Sequence, residues 1–151
     1  MIVSALGNGN MIAVSKFQEK FGLVLPADYI EFLIQMNGAI SKDDTVIAVD
    51  KLGESIEIDS LFGICSQKTW LDLASWLNKY AHELPRNSLI IGCDLLNNLI
   101  IMITAGENAG IYYWDCSFSF PVSDNDSNAY YLADSFHDFQ EKLGGFIERD
   151  D

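Results

Sequence analysis

The stretch Ser88–Asp115, SLIIGCDLLNNLIIMITAGENAGIYYWD, constrains this chain more than any other. It holds three short apolar runs, Ser88–Gly92, Leu99–Thr104 and Gly110–Trp114. Two polar breaks, Asp94–Asn98 and Ala105–Ala109, separate them. Runs of about five β-rich residues between Gly, Asn and Asp are strand and hairpin signals. Leu99–Ile103 does not alternate polar with apolar, so both of its faces should be covered, as in a central strand. The stretch therefore reads as a meander of three antiparallel strands. Gly92 and Gly106 are the residues expected to supply a positive φ at tight connections. Nothing in it pairs a nucleophile with a base.

At 151 residues the chain has the size of one domain, and 49% of it is hydrophobic, enough for a proper core. No apolar run reaches the length of a membrane span. The N-terminus lacks the basic and long apolar regions of a signal peptide, so a cytoplasmic location is expected. Cys65, Cys93 and Cys116 show no CxxC or Cys/His clustering, which disfavours zinc and a disulfide framework and leaves buried free thiols.

The net charge is −13. Residues 43–59 hold six acids against one base, and residues 115–151 hold nine acids against two bases. A field of this sign repels phosphate backbones and anionic membranes, so neither nucleic acid nor membrane is an expected partner. It attracts basic protein surfaces. Plain solubility is the simpler reading of the composition alone.

In chain order, residues 1–11 read as a loose lead-in. A helix is predicted from Ile12, with Ser15 as a possible cap, Phe17 and Phe21 on one face, and Gly22 as its stop. Pro26 fits the first turn of a second helix, with Asp28 and Glu31 near its positive end. Tyr29, Phe32, Leu33 and Met36 form its apolar stripe, and Asn37-Gly38 ends it. Ala39–Asp59 reads as a strand pair turning at Lys51–Glu54, and Leu61–Ile64 closes that section of sheet. A third helix is predicted over Thr69–Tyr80, capped by Thr69. Cys116–Asn128 reads as a long loop. Ser135–Leu143 forms a last helix stopped by Gly144-Gly145, and residues 144–151 form an acidic tail.

The candidates for chemistry are thin. His82, His137 and the three cysteines have no spacing that argues for a Cys/His dyad. Asp94 and Asp115 bracket the meander and could act as a carboxylate pair, but turn residues bonding local N–H groups explain them more simply. The glycines at 7–9 and 106–110 lack the lysine of a phosphate loop. No order of ligands in 43–59 matches a calcium loop. Trp114, at a strand end beside Asp115, is the tryptophan to watch as a contact residue. No catalytic residue, metal ligand or cofactor is expected.

Four pieces in order carry a family resemblance: Leu25-Pro26-x-x-Tyr29-x-x-Phe32-Leu33-x-x-x-Asn37-Gly38, Ile91-Gly92-x-Asp94, Ile111-Tyr112-x-Trp114-Asp115 and Ala133-Asp134-Ser135-Phe136-x-x-Phe139. Together the chain resembles the SUKH superfamily, which includes the yeast Smi/Knr-type cell-wall regulators and many bacterial immunity proteins. Asn97-Asn98 stands where a turn glycine is usual, and Asn tolerates the same left-handed backbone.

The resemblance implies an α+β fold over residues 1–151, with helices packed around one mostly antiparallel sheet. It implies a protein-binding role without enzymatic activity. The matching positions Leu25, Pro26, Tyr29, Phe32, Asn37, Gly38, Gly92, Asp94, Trp114, Asp115 and Phe136 read as caps, turns and core. The expected function is that of an immunity protein, or antitoxin, neutralising a basic toxin domain, a nuclease among the possibilities. The alternative is a regulatory module like the yeast relatives. Asp43, Asp44, Glu54, Glu57, Asp59, Trp114, Asp115, Asp124 and Asp126 are the candidate partner contacts. A monomer and a homodimer are both compatible with the sequence.

Overall fold

The meander is present in the computed structural model, which describes residues 2–4, 9–41, 45–64, 67–116 and 129–144. Its strands are β5 (Ser88–Asp94), β6 (Leu99–Ile103) and β7 (Gly110–Trp114), labelled by their place in the chain. β5 is buried throughout, and β6 is buried from Leu99 to Met102, as an apolar run without alternation requires. Gly106 takes φ 93° in the β6–β7 turn. The expectation for Gly92 is corrected. It lies within β5 without a positive φ, and its need is space, because a Cβ there would stand 2.6 Å from the Ser60 carbonyl oxygen.

The meander is the centre of one antiparallel sheet. Before it come β1 (Ile2–Ser4), β2 (Ala39–Ser41), β3 (Val46–Val49) and β4 (Glu54–Leu61), and after it β8 (Ala129–Ala133). The order is β1-β2-β4-β5-β6-β7-β8. β3 stands off that path, because β4 is long enough to pair with two strands in succession. Its first half faces β3, Val46↔Glu57 to Val49↔Glu54. Its second half faces β2, with Ala39↔Leu61 and Ile40↔Ser60. The sheet curls far enough for β3 and the short 3-10 turn Asp50–Leu52 to reach β8. The loose lead-in expected at residues 1–11 is corrected in part: β1 pairs with β2, and Asn10 caps the first helix.

Among the described residues four helices cover the sheet. α1 (Met11–Phe21) begins at Asn10, whose side chain accepts from the Ala13 N–H, so Ser15 is not its cap. Gly22 ends it in the left-handed conformation. α2 (Ala27–Gln35) starts just past Pro26, which occupies the flanking cap position rather than the first helical turn. α3 (Leu73–Tyr80) is shorter than Thr69–Tyr80: Thr69–Leu71 is a 3-10 turn, and Asp72 is the cap, accepting from the Ser75 N–H and hydroxyl. α4 (Phe136–Lys142) is capped by Ser135.

The core joins these layers. Tyr29 and Phe32 of α2 pack on Phe136 of α4 with ring centroids 5.0 and 4.8 Å away. Asp28 ties the same two helices by accepting from the His137 N–H. On the other side Trp76 stacks on Phe62 at 5.0 Å, and Tyr80 sets its edge against Trp114. Asn37, at φ 49°, clasps the chain after β4. Its amide donates to the Ile64 carbonyl and its Oδ1 accepts from the Ile64 N–H. Residues 42–44, 117–128 and 145–151 lie outside the described residues, and with them most of the expected long loop and acidic tail.

Candidate partner-binding surface

The turn Asp94–Asn98 is fixed by its own polar side chains. Asp94, buried at the end of β5, accepts from the Leu96 N–H at 2.9 Å and the Asn98 N–H at 2.8 Å through one oxygen. Its other oxygen accepts from the Tyr113 hydroxyl at 2.7 Å. The Asn98 amide in turn donates to the Tyr113 oxygen, and Asn98 Oδ1 accepts from the Cys116 N–H. Asn97 takes φ 64°, so asparagine does here what a turn glycine would do. Asp94 is thus a turn-holding residue, and its carboxylate is fully engaged with donors of its own fold.

This closed network pushes an apolar pair outward. Leu95 is 53% exposed and Leu96 79% exposed. The Leu95 N–H donates to the Glu57 carbonyl, which seats the turn beside β4. Alternation along β4 then decides what surrounds the leucines. Ile56, Ile58 and Ser60 face the core, while Ser55, Glu57 and Asp59 face outward. Val46, opposite Glu57, is half exposed on the same face. Asp59 sits where the β4–β5 register shifts, within 3.8 Å of the Cys93 sulfur.

Acids also gather on the far side of the turn. Burial pushes the Cys116 thiol up to about 11, and the nearby charges of Asp115, Asp94 and Glu83 add to that rise. Burial raises Cys93 as well, with Asp59 and Asp94 contributing. Both are therefore neutral thiols near neutral pH, poor nucleophiles and poor metal ligands. Among the described residues no three His, Cys, Asp or Glu side chains gather as metal ligands would. His137 is exposed and lies 3.4 Å from Glu141 of its own helix.

The result is a turn carrying two exposed leucines beside Glu57 and the β4 face it shares with Asp59, at the end of the sheet where Asp115 follows β7. Of the acids expected to contact a partner, Glu57 and Asp59 share the outward face of β4 beside the turn, and Asp115 follows β7 at the same end of the sheet. Glu54 is exposed at the other end of β4, about 13 Å along the strand from Ile58. Asp43, Asp44, Asp124 and Asp126 lie outside the described residues. Trp114 is corrected as a contact residue: it is 1% exposed, and its indole belongs to the core against Tyr80. Sequence reasoning passes over Leu95 and Leu96, although two leucines inside a turn bounded by Asp and Asn are themselves the signal.

The remaining matching positions are structural. Leu25, Tyr29, Phe32 and Phe136 are buried, and Asn37 and Gly38 end α2 at positive φ. No helix among the described residues is long and apolar enough to cross a membrane. Neither the curated proteins nor the solved structures contain a significant match to this chain. The model of the SMI1 / KNR4 family (SUKH-1) matches residues 10–142, a span that contains all four sequence pieces, from Leu25 to Phe139. The chain belongs to the SMI1/KNR4 family (SUKH-1).

Proposed function

We propose that this chain is a non-enzymatic, cytoplasmic immunity protein that neutralises a toxin domain by direct binding, a nuclease being the target its charge suits best. The observation that supports this reading is the exposed Leu95–Leu96 pair set among carboxylates on a self-held turn. Apolar side chains at the centre of a patch supply affinity when they enter a pocket, and surrounding acids set encounter rate and partner choice. A cleft built to hold phosphates is basic, so carboxylates of Glu57, Asp59 and Asp115 would occupy positions that phosphates otherwise take. Leu96 would be the anchor. The carboxylates would act at longer range, over about 8 Å at physiological ionic strength.

The test is calorimetric titration against the C-terminal domain encoded immediately upstream of this chain's gene, at about 0.05 M and about 0.3 M salt. Submicromolar binding that weakens with salt is expected. Leu96→Asp should weaken it by about tenfold or more, mainly through faster dissociation. The pair Glu57→Lys and Asp59→Lys should slow association and flatten the salt dependence. Binding untouched by all three substitutions would place the contact elsewhere. No binding at either salt would favour a regulatory module that recognises another partner.

A further inference from the structure

A concave surface lies on α1, and its charge is opposite to that of the leucine turn. Ile12, Ala13, Phe17 and Phe21 of α1 face Ile64 and Ala74 across a groove of about 450 Å³. That volume is within the usual range for a recognition pocket. The apolar surface continues past the groove. Ile12 is 69% exposed and Met11 about half exposed, while Trp70, on the segment leading into the facing wall, is also exposed. Exposed apolar side chains scattered singly need no explanation, but several flanking one groove do.

The rim carries Lys16 and Lys20. They are four residues apart on one helix, so their Cβ atoms lie about 5–6 Å from each other and like charge repels like. Neither makes an ion pair among the described residues; Lys20 only covers the Phe21 ring at 5.3 Å. The polar groups that share the groove are already used within the fold. Asp72 accepts from Ser75 twice and Asn10 caps α1. In a chain with 22 acids and 9 bases, this lysine pair is a local site of the minority charge beside an apolar floor.

We infer that the α1 groove docks an acidic amphipathic helix of a protein partner, its apolar stripe in the groove and its carboxylates on Lys16 and Lys20. The mode is helix-in-groove recognition, in which apolar side chains at i, i+3, i+4 and i+7 supply the anchors. A groove that opens onto exposed Met11 and Ile12 suits an extended segment better than a small ligand. This inference does not depend on the acidic turn being a toxin contact, because the two surfaces share no residue.

The probes are two synthetic amphipathic helical peptides with the same leucine stripe, one with glutamate on its polar face and one with lysine, and decanoate as a small amphiphile. Amide shift mapping on the full chain is the readout, with anisotropy of labelled peptide for affinity. The glutamate peptide should perturb Ile12, Lys16, Lys20 and Ala74 amides and bind more tightly than the lysine peptide. The double variant Lys16→Glu/Lys20→Glu should weaken it by about tenfold, two modest ion pairs being lost and reversed. Ile12→Asp should weaken it comparably. All three positions are exposed, so unchanged amide spectra elsewhere will report intact folding. Tighter binding of the lysine peptide, shifts confined to other faces, or no peptide binding would overturn the inference. Binding of decanoate alone would overturn it in favour of a small-ligand site.

Discussion

Tyr29 lies wholly inside the core, with Phe32 and Phe136 against its ring, and its hydroxyl has no hydrogen-bond partner among the described residues. Burial drives its pKa upward, so it stays a neutral phenol. A buried polar group without a partner costs about 1–3 kcal/mol. Tyr29→Phe is therefore expected to raise stability by about 1 kcal/mol in urea unfolding. A clear loss would show that the hydroxyl is satisfied after all. The apolar stripe at 29, 32, 33 and 36 announces Tyr29 as core, because helical periodicity is a local property. The empty hydroxyl is not legible, because its surroundings come from α4, more than a hundred residues away. Asn37 is similar: the helix stop can be read from Asn-Gly, but its two bonds to Ile64 cannot. Trp114 escapes for the same reason, since only Tyr80 and the sheet around it decide that a strand-end indole faces inward.

At the level of elements, the three-strand meander is readable because its strands and turns are set by near neighbours. The double pairing of β4 is not, because an eight-residue strand gives no sign of how its edge will be divided between β2 and β3. Thr69 looks like the start of α3 in the sequence, and the competing signal is Asp72, whose carboxylate reaches the Ser75 N–H. The Asp94 turn supplies a test at this scale. Asp94→Ala removes the acceptor of three bonds and leaves the Tyr113 hydroxyl without one of its two partners. The expected loss is about 2–3 kcal/mol, with faster amide exchange at Leu96 and Asn98. Asp94→Asn keeps an oxygen for the two backbone donors and should fall between wild type and Asp94→Ala. Equal exchange rates in Asp94→Ala would show that Asn97 and the strand ends hold the turn alone.

For the whole molecule, charge outweighs every other surface property. With a net −13, folding gathers mutually repelling carboxylates, and the ion pair Lys142–Asp138 joins exposed neighbours within α4. Such pairs contribute little. Screening should therefore stabilise the fold: raising sodium chloride from about 0.01 M to about 0.5 M is expected to raise Tm by several degrees in circular dichroism melts. A falling Tm would mean that attractive pairs dominate. The composition makes this excess legible, but not how the charges are arranged, with carboxylates around one leucine turn and a lysine pair beside a separate apolar groove. That leucine turn has one further consequence. Its backbone is held by the side chains of Asp94 and Asn98 and by the left-handed Asn97, while the exposed Leu95 and Leu96 side chains contribute little to holding it. Positions 95 and 96 are therefore natural sites for a combinatorial library: their side chains can be varied on an unaltered scaffold, because the bonds that hold this five-residue turn are made by the side chains of its other residues.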